Sequence, residues 1–205
     1  MLWYLKPLTK LQFKRFTLSI FFNLPAGRLF QSIDDFNKAC EHIVLLLEES
    51  ELIYQQGGYS TSVFIAITAI EETAKANFGL FTSGGDHERK GNMFYDHHTK
   101  HVMGSLQTVA MGRRLQEAIS QQSVDEIMAM AQNKGLIKLR ENSLYFEKTG
   151  SGSIQFPRNI VDQNLARNVL LYAIEVFDDS VVGYTNLSME ISKRTDVLFN
   201  RVAGI

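Results

Sequence analysis

Between Ser60 and Phe81 the sequence reads STSVFIAITAIEETAKANFGLF, and the first half of this stretch is apolar on nearly every side of a helix. A helix of that kind cannot lie on a surface. It needs neighbours all round it, so the rest of the chain has to supply a bundle. The helix is then interrupted by Glu71, Glu72 and Lys75, which at about 100° per residue occupy an arc of only about 100°. Unpaired charges in an interior cost several kcal/mol, so this arc must face other polar groups. Glu71 and Lys75 also have the i,i+4 spacing, in acid-to-base order, of a stabilising intrahelical pair.

The flanking segments fit a bundle. Ser32 caps a helix whose apolar positions Ile33, Phe36, Cys40, Ile43, Leu47 and Tyr54 recur at helical spacing, ending near Gln56 before Gly57-Gly58. After the polar loop Thr82–Gly91 the pattern predicts a third helix over 93–120. Ser123 with Glu126 has the form of a capping box opening a fourth, which ends near Arg140. The texture then changes: SLYFE, KTGSG and SIQFP are two short alternating runs around a Gly/Ser turn, a hairpin at about 143–157. Helical periodicity returns from Asn159, with Gly183 as a break before Tyr184–Val202. The expected fold is all-α, a helical bundle with one small β-hairpin.

With 205 residues, 45% of them hydrophobic, the chain can bury the core of one domain. Its longest apolar runs fall well short of the roughly 20 residues that span a bilayer, and one cysteine, Cys40, suits a reducing compartment. A cytoplasmic protein is expected. The formal charge of −1 hides an asymmetry: Lys6, Lys10, Lys14, Arg15 and Arg28 are the only charges before Asp34, so the first 33 residues carry +5 and the remaining 172 carry −6. Residues 1–31 therefore read as a basic, apolar arm and residues 32–205 as the bundle. The arm's aromatic residues (Trp3, Tyr4, Phe13, Phe16, Phe21, Phe22) call for a packing surface on the bundle or on a second subunit. An interfacial membrane helix is the less favoured use of the same composition.

A partner for the charged arc lies in FYDHHTKH. Phe94, His97, Lys100 and His101 fall within about 120° of one another on a helix. Imidazole can act as acid or base near neutrality, and lysine can stabilise an anion such as a phosphate. The candidate site is thus His97, Lys100, Glu71, Glu72 and Lys75. His97 and His101 have a metal-ligand spacing, but HHTKH lacks the glutamate of HExxH and Lys100 would set a positive charge beside any cation, so neither a metal nor a cofactor is expected. Phosphate-binding GxxxxGK[ST], dinucleotide-binding GxGxxG and nucleophile-elbow GxSxG patterns are absent from the sequence.

Three blocks, in order, resemble the AbiV family of bacterial abortive-infection proteins, which belongs among the HEPN-type helical bundles. The first runs from Tyr59-Ser60 to Ala69-Ile70-Glu71-Glu72-Thr73-Ala74-Lys75, similar to the family's alanine-rich helix ending in Glu-Glu-x-x-Lys, with Thr73-Ala74 where a branched aliphatic and a glycine are more usual. The second is Phe94-x-x-His97-x-x-Lys100. The third is Leu139-Arg140-Glu141-Asn142-Ser143-Leu144-Tyr145-Phe146 followed by Phe156-Pro157. Together they cover about residues 32–180.

The resemblance implies phage defence by an effector that halts growth of the infected cell, a homodimer, and RNA and a phage-encoded protein trigger as partners. HEPN relatives are often ribonucleases with an Arg-x(4–6)-His motif. That motif is not intact here: seven residues separate Arg89 from His97, and at the permitted spacing stands Lys90, which lacks the planar fork that grips a phosphate. Ribonuclease activity therefore does not follow from the motif. Two other classes use the same features, a non-catalytic bundle that binds a protein or nucleotide and an effector held at a membrane by the arm.

Overall fold

The computed structural model describes residues 29–81, 96–105 and 113–205, so the arm up to residue 28, Lys90 and Phe94 lie outside the described residues. Helix α1 (Ile33–Gln55) starts where Ser32 Oγ accepts the Asp35 N–H at 3.1 Å, as its sequence predicts, and ends at a turn in which Gly57 takes φ +80°. Just before it Phe30 is buried edge-on against Phe36, ring centres 5.6 Å apart, so the bundle's core begins ahead of the capping serine. Helix α2 (Tyr59–Phe81) is the apolar segment described above.

The third helix expected over 93–120 is not continuous. The described residues contain α3 (His97–Ser105) and, after a bend at Arg113, a separate α4 (Arg114–Ile119). The cap of the next helix also differs. Ser120 takes φ 71° and its Oγ accepts the Ser123 N–H at 3.3 Å, so α5 (Gln121–Gln132) begins two residues before Ser123. Two cap-competent serines three residues apart, with helix-favouring glutamines between them, make the upstream one the cap. A second left-handed residue, Lys134 at φ 66°, divides the expected fourth helix into α5 and α6 (Gly135–Asn142).

The hairpin is present: β1 (Glu147–Lys148) pairs antiparallel with β2 (Ile154–Gln155), with Glu147 opposite Gln155. A 3-10 turn over Pro157–Asn159 leads to α7 (Gln163–Val181), capped by Asp162, and Thr185 caps α8 (Asn186–Ala203) after Gly183 at φ +94°. The architecture is an all-α bundle with one small hairpin. Among the described residues no helix is long and apolar enough to cross a membrane.

Helix α2 packs along both α1 and α7 and also touches α3 and α6, which is why it has no exposed apolar face to spare. Val63, Ala66, Ile67, Ala69 and Ile70 are sealed inside, with Phe36, Leu47, Tyr172, Phe177 and Phe199 around them. Helix α8 closes the far side, and Arg167 fixes its end by donating to the Val202 and Ala203 carbonyls at 3.1 and 2.9 Å. Arg114 ties α4 to α7 and α8: it donates to Glu175 at 2.5 Å, to Asp196 at 2.6 Å and to Asp178, and stacks 4.4 Å from the centre of the Phe199 ring.

Helix α3 approaches α2 closely at Gly104, where a Cβ would stand 2.9 Å from Ile70 Cγ2. That contact sets how near the α3 side chains come to α2. Replacing Gly104 by valine should therefore force the two helices apart and cost about 2 kcal/mol of stability. Gly150→Ala, at a position where a Cβ would meet nothing within 4 Å, should leave stability nearly unchanged. Urea unfolding of the two variants beside the wild type checks both expectations.

Candidate functional site

Glu71 follows the sealed residues Ala69 and Ile70 on α2 and is itself only 3% exposed. A carboxylate so placed needs donors from outside its own helix. Helix α3 supplies them from the stripe formed by positions i, i+3 and i+4. Its first turn is fixed by Asp96, whose carboxylate accepts both the backbone N–H and the hydroxyl of Thr99, bonds that also lower the Asp96 pKa. His97 Nδ1 then stands 2.7 Å from Glu71 Oε2, Lys100 Nζ 3.3 Å from the same oxygen, and His101 Nε2 2.8 Å from Oε1. Helix α6 adds Arg140, with Nε 3.7 Å from Oε1 and its guanidinium 4.8 Å from the centre of the Phe64 ring.

The electrostatics follow from this crowding. Burial by itself pushes the Glu71 carboxyl up, but the His101 hydrogen bond, the Lys100 charge and the His97 hydrogen bond together outweigh it and hold the group at about 2. Glu71 is a fixed anion throughout the physiological range. Its Oε2 accepts from His97 when the imidazole proton is on Nδ1, which leaves Nε2 of that ring as the proton acceptor. The ring is 43% exposed. His101 is fully buried, and with its proton on Nε2 its buried Nδ1 has no hydrogen-bond partner. One imidazole thus faces solvent from the carboxylate and the other faces the core.

The sequence-derived residues separate into two groups. Glu71, His97 and Lys100 converge. Glu72 and Lys75 do not join them: Lys75 Nζ bonds Glu72 Oε2 at 3.1 Å, an i,i+3 pair in place of the expected i,i+4 bond to Glu71. They line a cavity of about 350 Å³ against α1, with Asp35, Lys38 and His42. Lys100, 7% exposed, is spent on neutralising Glu71 and is not available to a substrate anion. His101 was on the same helical face by sequence but outside the proposed set. Its signal was the second oxygen of Glu71, which needs its own donor. Arg140 stands in the third block of the family resemblance, but nothing in the sequence ties it to Glu71, because only the folded chain brings α6 to α2. Among the described residues no three His, Cys, Asp or Glu side chains are grouped as a metal ion would need.

Residues 32–177 match the family model HEPN_AbiV, described as AbiV. No curated protein and no solved structure matches the chain.

The low pKa of Glu71 has a measurable consequence. A carboxyl depressed in the folded state contributes stability that is complete above its unfolded value, near 4.5, and is lost as pH falls through about 2. Wild-type stability should therefore drop by about 2–3 kcal/mol across that window from this group. Glu71→Gln should lose about 3 kcal/mol at pH 7, since it leaves Lys100 buried without a counter-charge, and should flatten the limb between pH 4.5 and 2. Denaturant titrations at stepped pH would read both effects.

Proposed function

Because this chain belongs to the AbiV family, we propose that it is an abortive-infection effector that cleaves RNA, with His97 as general base and Glu71 as the group that orients it. The observation that carries this reading is the 2.7 Å bond from the buried, ionised Glu71 to Nδ1 of a half-exposed imidazole. Such a carboxylate sets the tautomer and holds the ring in place, with Nε2 left as the acceptor. Arg140, whose planar fork suits a phosphodiester, approaches the other oxygen of the same carboxylate.

In the proposed step His97 Nε2 takes the proton of a ribose 2′-hydroxyl. The O2′–P bond forms as the P–O5′ bond breaks, water gives a proton to the departing 5′ oxygen, and the hydroxide left takes the proton from His97 Nε2, which restores the base and the water. The products are a 2′,3′-cyclic phosphate and a 5′-hydroxyl. Arg140 meets the charge that grows on the non-bridging oxygens. Lys100 acts at one remove, by keeping Glu71 ionised in a buried setting. A homodimer and a phage-encoded protein trigger belong to the same proposal. The sealed half of the cluster, Lys100 and His101, favours the second reading, a bundle that binds a protein or nucleotide and uses these charges only to hold its helices together.

The two readings part at His97. In the first, His97→Ala should lower RNA cleavage by about 10²–10⁴-fold and remove phage protection, while stability falls by no more than about 1 kcal/mol. His101→Ala should instead cost about 3 kcal/mol, by opening a cavity beside a buried charge, and should reduce function only through folding. Cleavage of total RNA, thermal melts and an infection assay on both variants would decide. A His97→Ala protein that protects cells as the wild type does removes the catalytic reading.

A further inference from the structure

Large apolar side chains that remain exposed are scattered over most of the described residues, but five of them gather on the hairpin and its flanks: Leu144, Tyr145, Phe146, Ile154 and Phe156, between 42% and 66% exposed. The strand register explains the grouping. With Glu147 opposite Gln155, the next pair outward is Phe146 and Phe156, whose ring centres are 6.0 Å apart, and strand alternation puts Lys148 and Ile154 on the same face. Arg158 extends this face with its guanidinium 6.0 Å from the Phe156 ring centre. Two-residue strands have little core of their own, so holding this much aromatic surface in water is a cost that nothing in the fold requires.

The segment that carries this face is also net positive. Residues 138–158 hold Lys138, Arg140, Lys148 and Arg158 against Glu141 and Glu147, a net +2 in a region, residues 34–205, that carries −6 overall. A series of neighbouring groups leads from it towards the candidate site. A groove of about 520 Å³, lined by Gly58, Ser60, Thr61, Leu144, Phe156 and Arg158, runs along the start of α2. Phe64, the next turn of that helix, carries Arg140, and Arg140 reaches Glu71. From Thr61 to Glu71 is ten residues, about 15 Å of helix.

From these observations we infer that the hairpin ridge is a binding platform for single-stranded RNA, stacking bases on Phe146 and Phe156 and leading the backbone past Arg158 and Arg140 to His97. Flat aromatic faces interleaved with arginine form a sequence-tolerant platform for single strands, because every base has a face to stack and every linkage a charge to pair. Charge sets this occupant apart from two others. The chain's own first 33 residues carry +5 and are repelled by the patch, and a second copy pairing ridge to ridge would set the same +2 against itself. The inference rests on the reading that the protein acts on RNA, and the test separates the two.

The probe is a fluorescein-labelled oligouridylate, followed by anisotropy in the full-length His97→Ala protein so that the probe stays intact. The parent protein should bind it. Phe146→Ala with Phe156→Ala should weaken binding at least about tenfold, whereas Phe146→Tyr with Phe156→Tyr should retain it. Arg158→Gln should reduce the slope of log affinity against log salt by about 0.7, the loss of one phosphate contact on a single strand. All of these positions are exposed, and circular dichroism of each variant checks that the bundle is intact. If the double alanine variant binds as its parent does, the ridge is not the platform, while the RNA reading stands on the parent's binding. If the parent binds no RNA and wild-type protein cleaves none, both fall. A double variant whose mass in light scattering drops from dimer to monomer with unchanged probe affinity makes the ridge a self-association surface and overturns the inference.

Discussion

One carboxylate buried on the central helix dictates much of what surrounds it. Glu71 is 3% exposed on a helix that packs against α1 and α7, and an anion there costs several kcal/mol unless other elements bring it donors. Two elements do so. Helix α3 presents His97, Lys100 and His101 on successive turns, and α6 brings Arg140. Gly104, one turn beyond His101, removes the side chain that would hold α3 away from Ile70. Polar requirement and steric permission therefore act on the same short helix.

The cluster around Arg114 shows the same physics with the opposite balance. There one cation serves three carboxylates, Glu175, Asp178 and Asp196. Desolvation outweighs the Arg114 charge, so the Glu175 pKa rises and Asp178 is pushed up to about 6, even though Thr195 and Arg114 both hydrogen-bond it. A carboxyl raised in the fold gives up stability as pH climbs from its unfolded value towards its folded one. At Glu71 the donors outnumber the charge and the carboxyl falls to about 2. The first cluster joins α4, α7 and α8 as a clamp. The second leaves a surplus of positive charge beside a solvent-facing imidazole, an arrangement suited to an anionic substrate.

Periodicity made α1, α2, α7 and α8 legible, because each has apolar positions at helical spacing, with Ser32 and Gly57-Gly58 bounding α1 and Gly183 preceding α8; α7 begins at Gln163 and not at the expected Asn159, because a 3-10 turn intervenes and Asp162 is the cap. The hairpin was legible from alternation around Gly150 and Gly152. The breaks at Ser120 and Lys134 were not. Left-handed conformations at residues with a Cβ carry no mark in the sequence, and the apolar spacing runs on across them. For the site, helical arithmetic correctly paired Glu71 with the face of His97 and Lys100. It took Glu71 as the partner of Lys75 on the i,i+4 spacing, although Glu72 lies within the same turn. Once Glu71 is taken up by α3, Lys75 turns to Glu72, and the two form a pair next to α1.

The interrupted Arg-x(4–6)-His pattern looks different in three dimensions. What phosphodiester chemistry asks of that pair is a guanidinium and an imidazole near one linkage, and sequence adjacency is only one way to meet the requirement. In this chain Arg140 comes from a helix 43 positions beyond His97, and both meet at one carboxylate: His97 at Oε2, Arg140 towards Oε1. A lysine at position 90 then need not imitate an arginine. The hub also couples the two groups. A change that moves the Glu71 carboxylate shifts the imidazole and the guanidinium together, whereas loss of either one leaves the carboxylate held by Lys100 and His101. The buried half of the cluster, Lys100 and His101, is therefore the mount, and on the proposed reading the exposed His97 is the half that meets RNA.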